Sequence, residues 1–187
     1  MTELYEKVRE YVYNVFEQKR AVKHFERAVY WLKQLKSDVD EALLIATIAH
    51  DIERSNRSEE MWEMLKEDPA NLTKPKFLKY HQETGAEVIG EFLEKQGANK
   101  ELIDRVKMLV SKHEEGGNED QNLLKDADSI SFFENNAEHF LDKYVKILGK
   151  EAVKIKFDWM YNRITSEKAK EIAKKWYEDA VRDLEKQ

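Results

Sequence analysis

The chain contains no cysteine, which excludes disulfides, thiolate metal sites and a thiol nucleophile, and leaves the redox compartment open. Histidine, aspartate and glutamate remain as its strong metal ligands. Only 2 prolines and 6 glycines interrupt 187 residues, and charged residues reach 37%, with Leu, Ala, Lys and Glu abundant. That mixture favours helices over sheet, and the expected fold class is all-α. There is no excess of basic charge either: the net charge is -6 and the pI near 5.5, which argues against an extended nucleic-acid surface. The single long apolar run, from Ala42 to Ala49, is far short of a membrane span. The N-terminus, Met1-Thr2-Glu3-Leu4-Tyr5-Glu6-Lys7, is charged and amphipathic rather than a signal sequence. A cytoplasmic protein without membrane association is the expectation.

What is present is a succession of amphipathic segments without a break in composition, so one domain over 1–187 is expected. Val8, Val12 and Val15-Phe16 space a first helix, and Val22, Phe25, Val29, Leu32 and Leu35 a second. Ser37-Asp38 is expected to cap a third that runs through Leu43, Ile48 and Ile52. Met61 to Leu65 suggests a short segment, and Pro69 and Pro75 bracket the most loop-like stretch, polar enough to cover a pocket. Helical spacing resumes from Phe77 to Leu93, stopped by Gly97, and again from Leu102 to His113, ahead of Gly116-Gly117. Further helices are expected over Leu123–Phe133, Phe140–Ile147, around Phe157-Trp159-Met160, and from Ser166 to Leu184. Trp31, Trp159 and Trp176 sit at apolar spacings that suit the core better than a substrate platform.

His50-Asp51 closes the apolar run with two metal-capable side chains back to back. Burying such a pair is costly unless something binds there. Neighbouring residues on a helix point about 100° apart, so the carboxylate can lean toward a second ion while the imidazole holds the first. His24, His81, His113 and the Asp126-Ala127-Asp128 segment lie on other expected helices. A centre gathered from several helices suits a metal site inside a bundle, since one helix offers only one or two side chains to a given point.

The ordered set His24, His50-Asp51, His81, His113 and Ala127-Asp128 resembles the HD superfamily of metal-dependent phosphohydrolases, over roughly Val22 to Phe133. His24-Phe25-Glu26-Arg27 is similar to the family's His-x-x-Arg, and His50-Asp51-Ile52-Glu53-Arg54 to its His-Asp-Ile-Gly-Lys string, with Arg54 in the lysine place. Tyr80 to Ala86 resembles the third-histidine segment of two-metal members. The Gly-Tyr-Pro signature of the cyclic-dinucleotide phosphodiesterases is missing after His113, and so are the Asp-rich segments of alarmone synthetases.

The resemblance implies a helical HD-domain bundle with its metal core over about 20–135 and helices of 136–187 packed on it. It implies one or two divalent transition ions, iron or manganese first, with nickel, cobalt or zinc able to substitute. Under it His24, His50 and Asp128 hold one ion with Asp51, His81 and His113 hold the other, and Asp51 bridges them. The implied reaction is hydrolysis of a phosphoester of a small, nucleotide-like phosphate by metal-activated hydroxide. Arg27 and Arg54 would bind phosphate oxygens, or else pair at the surface with Glu26, Glu53 or Glu59. The Ala-Asp frame favours Asp128 as terminal ligand and leaves Asp126 to accept a proton from a ligating imidazole. His139 matches no family position and is expected at the surface. Two other readings stay open: a diiron oxygenase of the same superfamily, and a metal-stabilised binding module without turnover.

Overall fold

The computed structural model describes residues 2–17 and 19–187, and among them there are helices and no strand, so the fold is all-α. The order is α1 (Glu3–Val15), α2 (Lys19–Leu35), α3 (Glu41–Ala49), a 3-10 turn (Ile52–Asn56), α4 (Glu59–Glu67), a second 3-10 turn (Pro69–Thr73), α5 (Pro75–Lys95), α6 (Lys100–Val110) and α7 (Glu119–Asn135). The short α8 (Ala137–His139), a π turn (Phe140–Tyr144) and α9 (Val145–Leu148) lead to α10 (Lys150–Asn162) and α11 (Glu167–Glu185).

Helix α3 is buried on nearly every side, from Ala42 to Ala49, and forms the axis of the bundle, packed by α1, α2 and α6. Its apolar cluster takes Val8 and Val12 from α1, Phe25 and Leu32 from α2, Ile89 and Leu93 from α5, Val106 and Leu109 from α6, and Leu124 from α7. A second cluster joins Ile130, Phe132 and Phe133 of α7 to Val153, Phe157 and Met160 of α10 and to Ala169, Ala173 and Leu184 of α11. Helix α7 thus serves both clusters. No helix among the described residues is long and apolar enough to cross a membrane.

Local chemistry moves several expected boundaries. Asp40, not Ser37-Asp38, caps α3: it lies directly before the first helical residue, and its carboxylate accepts the Leu43 N–H at 2.8 Å. The helix stops at Ala49 rather than running through Ile52, so His50 and Asp51 stand at its end. The stretch between Pro69 and Pro75 is ordered as a 3-10 turn packed against α4, α5 and α10, and Pro75 opens α5 at its first position, where its fixed φ is suited to a helix. Met61, Leu65 and Phe77 form a small apolar cluster beneath it. Helix α6 ends at Val110, and His113 rides the following turn, which Gly116 reverses at φ 78. The helix expected over Phe140–Ile147 is broken into a π turn and one α turn, ended by Gly149 at φ 86.

Candidate metal centre

Five segments of the bundle meet at one buried point. His24 comes from α2, His50 and Asp51 from the end of α3, His81 from α5, His113 from the turn after α6, and Asp128 from α7. All six are buried. They form two groups, His24, His50 and Asp128 in one and Asp51, His81 and His113 in the other, and within each group the ligand atoms lie within 4.8 Å of one another. Asp128 Oδ1 is 3.1 Å from His24 Nε2 and 3.3 Å from His50 Nε2. Asp51 Oδ1 is 2.9 Å from His81 Nε2 and 3.9 Å from His113 Nε2, while its Oδ2 lies 3.7 Å from His50 Nε2. One carboxylate therefore faces both groups.

Each imidazole is held by its other nitrogen. His50 Nδ1 donates to the Thr47 carbonyl and His113 Nδ1 to the Val110 carbonyl, both at 2.8 Å. His81 Nδ1 meets Glu53 Oε2 at 2.7 Å. The Ser131 hydroxyl gives its hydrogen to the His24 carbonyl, so at 2.9 Å it accepts from His24 Nδ1. When neutral, all four rings carry their proton on Nδ1 and present Nε2 lone pairs inward. This fixes tautomer and orientation, as a second layer of partners does around metal-bound histidines. Lone pairs of His50 and His113 Nε2 are buried without a hydrogen-bond partner, and those of His24 and His81 face carboxylate oxygens. Such a convergence of acceptors is repulsive unless a cation sits among them, and a nitrogen and oxygen donor set suits a divalent transition ion.

The electrostatics make the same demand. Burial pulls the His50 pKa down, but Asp51 and Asp128 overcome it and raise it to about 9. His81 is raised in the same way, against its burial, by Asp51 and Glu53. In the ion-free protein a proton thus supplies part of the positive charge the carboxylates require. His113 behaves oppositely and is lowered to about 4, chiefly by burial. Burial also opposes the charge on Asp51 and Asp128, yet both are held well below the usual carboxylate range, Asp51 by Arg54 and His50 and Asp128 by Arg163 and His50.

Four further residues complete the site, none of them marked as part of it by the spacing of the candidate ligands. Glu53 is buried between His81 and Arg57, whose Nη2 lies 2.8 Å from Glu53 Oε2. Glu114, next to His113, is buried and ion-paired with Arg163. Arg163, at the end of α10, grips Glu114 with Nη1 and Asp128 with Nη2, and its Nε donates to Ser129 Oγ at 2.9 Å. Lys156, also on α10, is buried beside this network. Glu53 and Glu114 adjoin motif residues, but nothing in the spacing of the ligands points 35 residues beyond Asp128 to Arg163.

The two expected arginines part company. Arg54 Nη1 meets Asp51 Oδ2 at 2.8 Å, and the side chain is 41% exposed, so it reaches from the site to solvent. Arg27 is paired instead with Glu134 through both carboxylate oxygens, at 2.7 and 2.8 Å, and lies over the Tyr30 ring. Asp126 does not touch an imidazole: its two oxygens accept the Thr165 and Ser166 backbone N–H groups at 2.7 and 2.8 Å, tying α7 to the start of α11. It faces away from Asp128 because two helical residues are about 200° apart. His139 is half-buried against Tyr144, away from both groups.

No curated protein and no solved structure matches the chain. A family model described as a domain of unknown function, DUF4202, matches residues 9–176, a span that includes both ligand groups, Lys156 and Arg163, and the chain belongs to that family.

Proposed function

We propose that this chain is a metal-dependent phosphohydrolase of the HD type, acting on a phosphoester of a small, nucleotide-like phosphate. The observation that carries the reading is the position of Asp51, with one oxygen toward His81 and His113 and the other toward His50. A carboxylate facing both three-residue groups suits a site that would hold two ions. Held by His24, His50 and Asp128 and by Asp51, His81 and His113, divalent ions would supply Lewis acidity and an activated water.

The chain's own residues prepare that chemistry. Arg163 and Arg54 keep Asp128 and Asp51 ionised, hence ready to ligate. The N–H groups of Arg54 not used on Asp51 can bind non-bridging phosphate oxygens at the solvent side. Burial of all six ligands keeps bulk water from the centre and strengthens each interaction inside it.

A panel of phosphoesters incubated with iron-, manganese- and zinc-loaded protein tests the reading. Phosphate release under nitrogen, lost in Asp51→Ala, is the expected result. Oxygen uptake by iron-loaded protein on a polyol or phosphonate, with no phosphate released from any ester, would replace the hydrolase by an oxygenase.

A further inference from the structure

Helix α10 divides its residues between two tasks. Val153, Phe157 and Met160 are buried in the second apolar cluster. Lys156 and the capping residue Arg163, seven positions apart and flanking Trp159, reach the charged network around the metal groups. Arg163 is fully engaged there. Lys156 is not.

Lys156 is only 4% exposed as a residue, yet its ammonium, which has no hydrogen bond and no ion pair among the described residues, is not fully buried and keeps a contact with solvent. The ammonium lies over the faces of two neutral rings, Trp159 at 4.3 Å from the ring centre and Phe132 at 5.9 Å. The carboxylates that attract it from farther off, Glu114 and Asp128, are already committed to Arg163. With ring faces on its inner side and no paired carboxylate, the ammonium has only solvent to complete its shell. That open side is where an anion from outside the fold can reach an otherwise unpaired cation. Burial lowers its pKa to about 8, so it remains mostly protonated at neutral pH.

The charge balance narrows the anion. Asp51, Glu53, Glu114 and Asp128 are matched by Arg54, Arg57, Arg163 and Lys156, so with neutral imidazoles the network carries no net charge. Divalent ions added to it leave a large positive excess. A dianion offsets that excess twice as well as a monoanion and presents enough oxygens to meet two separate cations.

We propose that Lys156 is a substrate-binding residue that donates to the non-bridging oxygens of a phosphate dianion, together with the unengaged N–H groups of Arg54, so that the ligand is a small phosphate monoester. The assignment deepens the phosphohydrolase reading and rests on it for the chemistry of the ligand.

Titration of zinc-loaded protein with inorganic phosphate tests it. Lys156→Met keeps the length of the side chain and removes the charge. The variant is expected to bind phosphate at least about tenfold more weakly, the loss of one charge-assisted hydrogen bond, with zinc content unchanged and Tm equal or higher. Lys156→Arg is expected to retain most of the affinity. A lysine with a purely structural role would give the opposite pattern, a lower Tm with unchanged phosphate affinity. Should the methionine variant fail to fold, the Lys156 Nζ resonance of the zinc-loaded wild type decides: a shift on adding phosphate supports the assignment, and no shift overturns it. Phosphate binding that depends on Lys156 without hydrolysis of any ester would keep the site and remove the hydrolase. Ester hydrolysis with phosphate affinity independent of Lys156, or a wild type that binds no phosphate, would remove the site.

Discussion

His81 Nδ1 lies 2.7 Å from Glu53 Oε2, and both side chains are completely or almost completely buried. The contact orients the ring so that Nε2 faces Asp51, and Arg57 holds Glu53 from the other side. Glu53 is held ionised, its pKa lowered to about 2 against burial by His81 and Arg57. Glu53→Gln keeps the shape and removes the charge. It is expected to weaken ion binding at the Asp51, His81 and His113 group by about 10- to 100-fold, the usual effect of removing a partner behind a ligating histidine. Competition with a chromogenic chelator measures it, and unchanged affinity would show that His81 does not ligate.

Asp126 and Asp128 give contrasting expectations. Asp126→Ala removes the acceptor for the Thr165 and Ser166 N–H groups, so a loss of stability of about 1–3 kcal/mol is expected, with metal content unchanged. Asp128→Ala should strip ions from the His24 and His50 group. Denaturant melts and elemental analysis on the pair check this, and metal loss in the Asp126 variant would contradict it.

Arg163 neutralises two buried carboxylates at once. Arg163→Met should therefore destabilise the fold by about 3–5 kcal/mol, as when one partner of a buried pair is removed. Adding Glu114→Gln should recover part of the loss, because one of the two stranded charges is gone. A double variant no more stable than the single one would mean that Glu114 is not strained by the loss of Arg163.

The raised His50 predicts a pH dependence for the ion-free protein. A group with a folded pKa of about 9 against an ordinary 6.5 contributes stability that is full below pH 6.5 and lost as the pH rises through 9. His81 acts in the same direction. Lys156, lowered from 10.5 to about 8, restores stability only above pH 8, so the clean window is pH 6.5 to 8. Ion-free protein should lose at most about 2 kcal/mol across it from His50. In metal-loaded protein an ion replaces the proton, and thermal melts should be flat over the same range. An ion-free protein that gains stability across the window would show that the carboxylates do not share a proton with His50.

The candidate ligands are legible in the sequence because each stands at a helix end or on an inner stripe, and helical periodicity reports inward direction. His24, His50, His81 and Asp128 follow from that rule, and α3 from its unbroken apolar run. Tertiary partners follow no local period. Glu134 takes Arg27, and the first turn of α11 takes Asp126, through contacts 107 and 39 or 40 positions away in the chain. Arg163 and Lys156 were hidden for the same reason, since α10 reads as an ordinary amphipathic helix until it is folded over the site. The stretch between Pro69 and Pro75 reads as a loop because proline breaks a helix interior, whereas Pro75 begins one.

The metal content of freshly purified protein tests the central claim most directly. Two buried groups sharing Asp51 predict up to two transition-metal ions per chain in the wild type, and loss of most of both in the His50→Ala, Asp51→Ala double variant, because each group loses a ligand and the shared carboxylate disappears. A wild type that takes up no transition metal, or a folded double variant that remains fully loaded, would contradict the account.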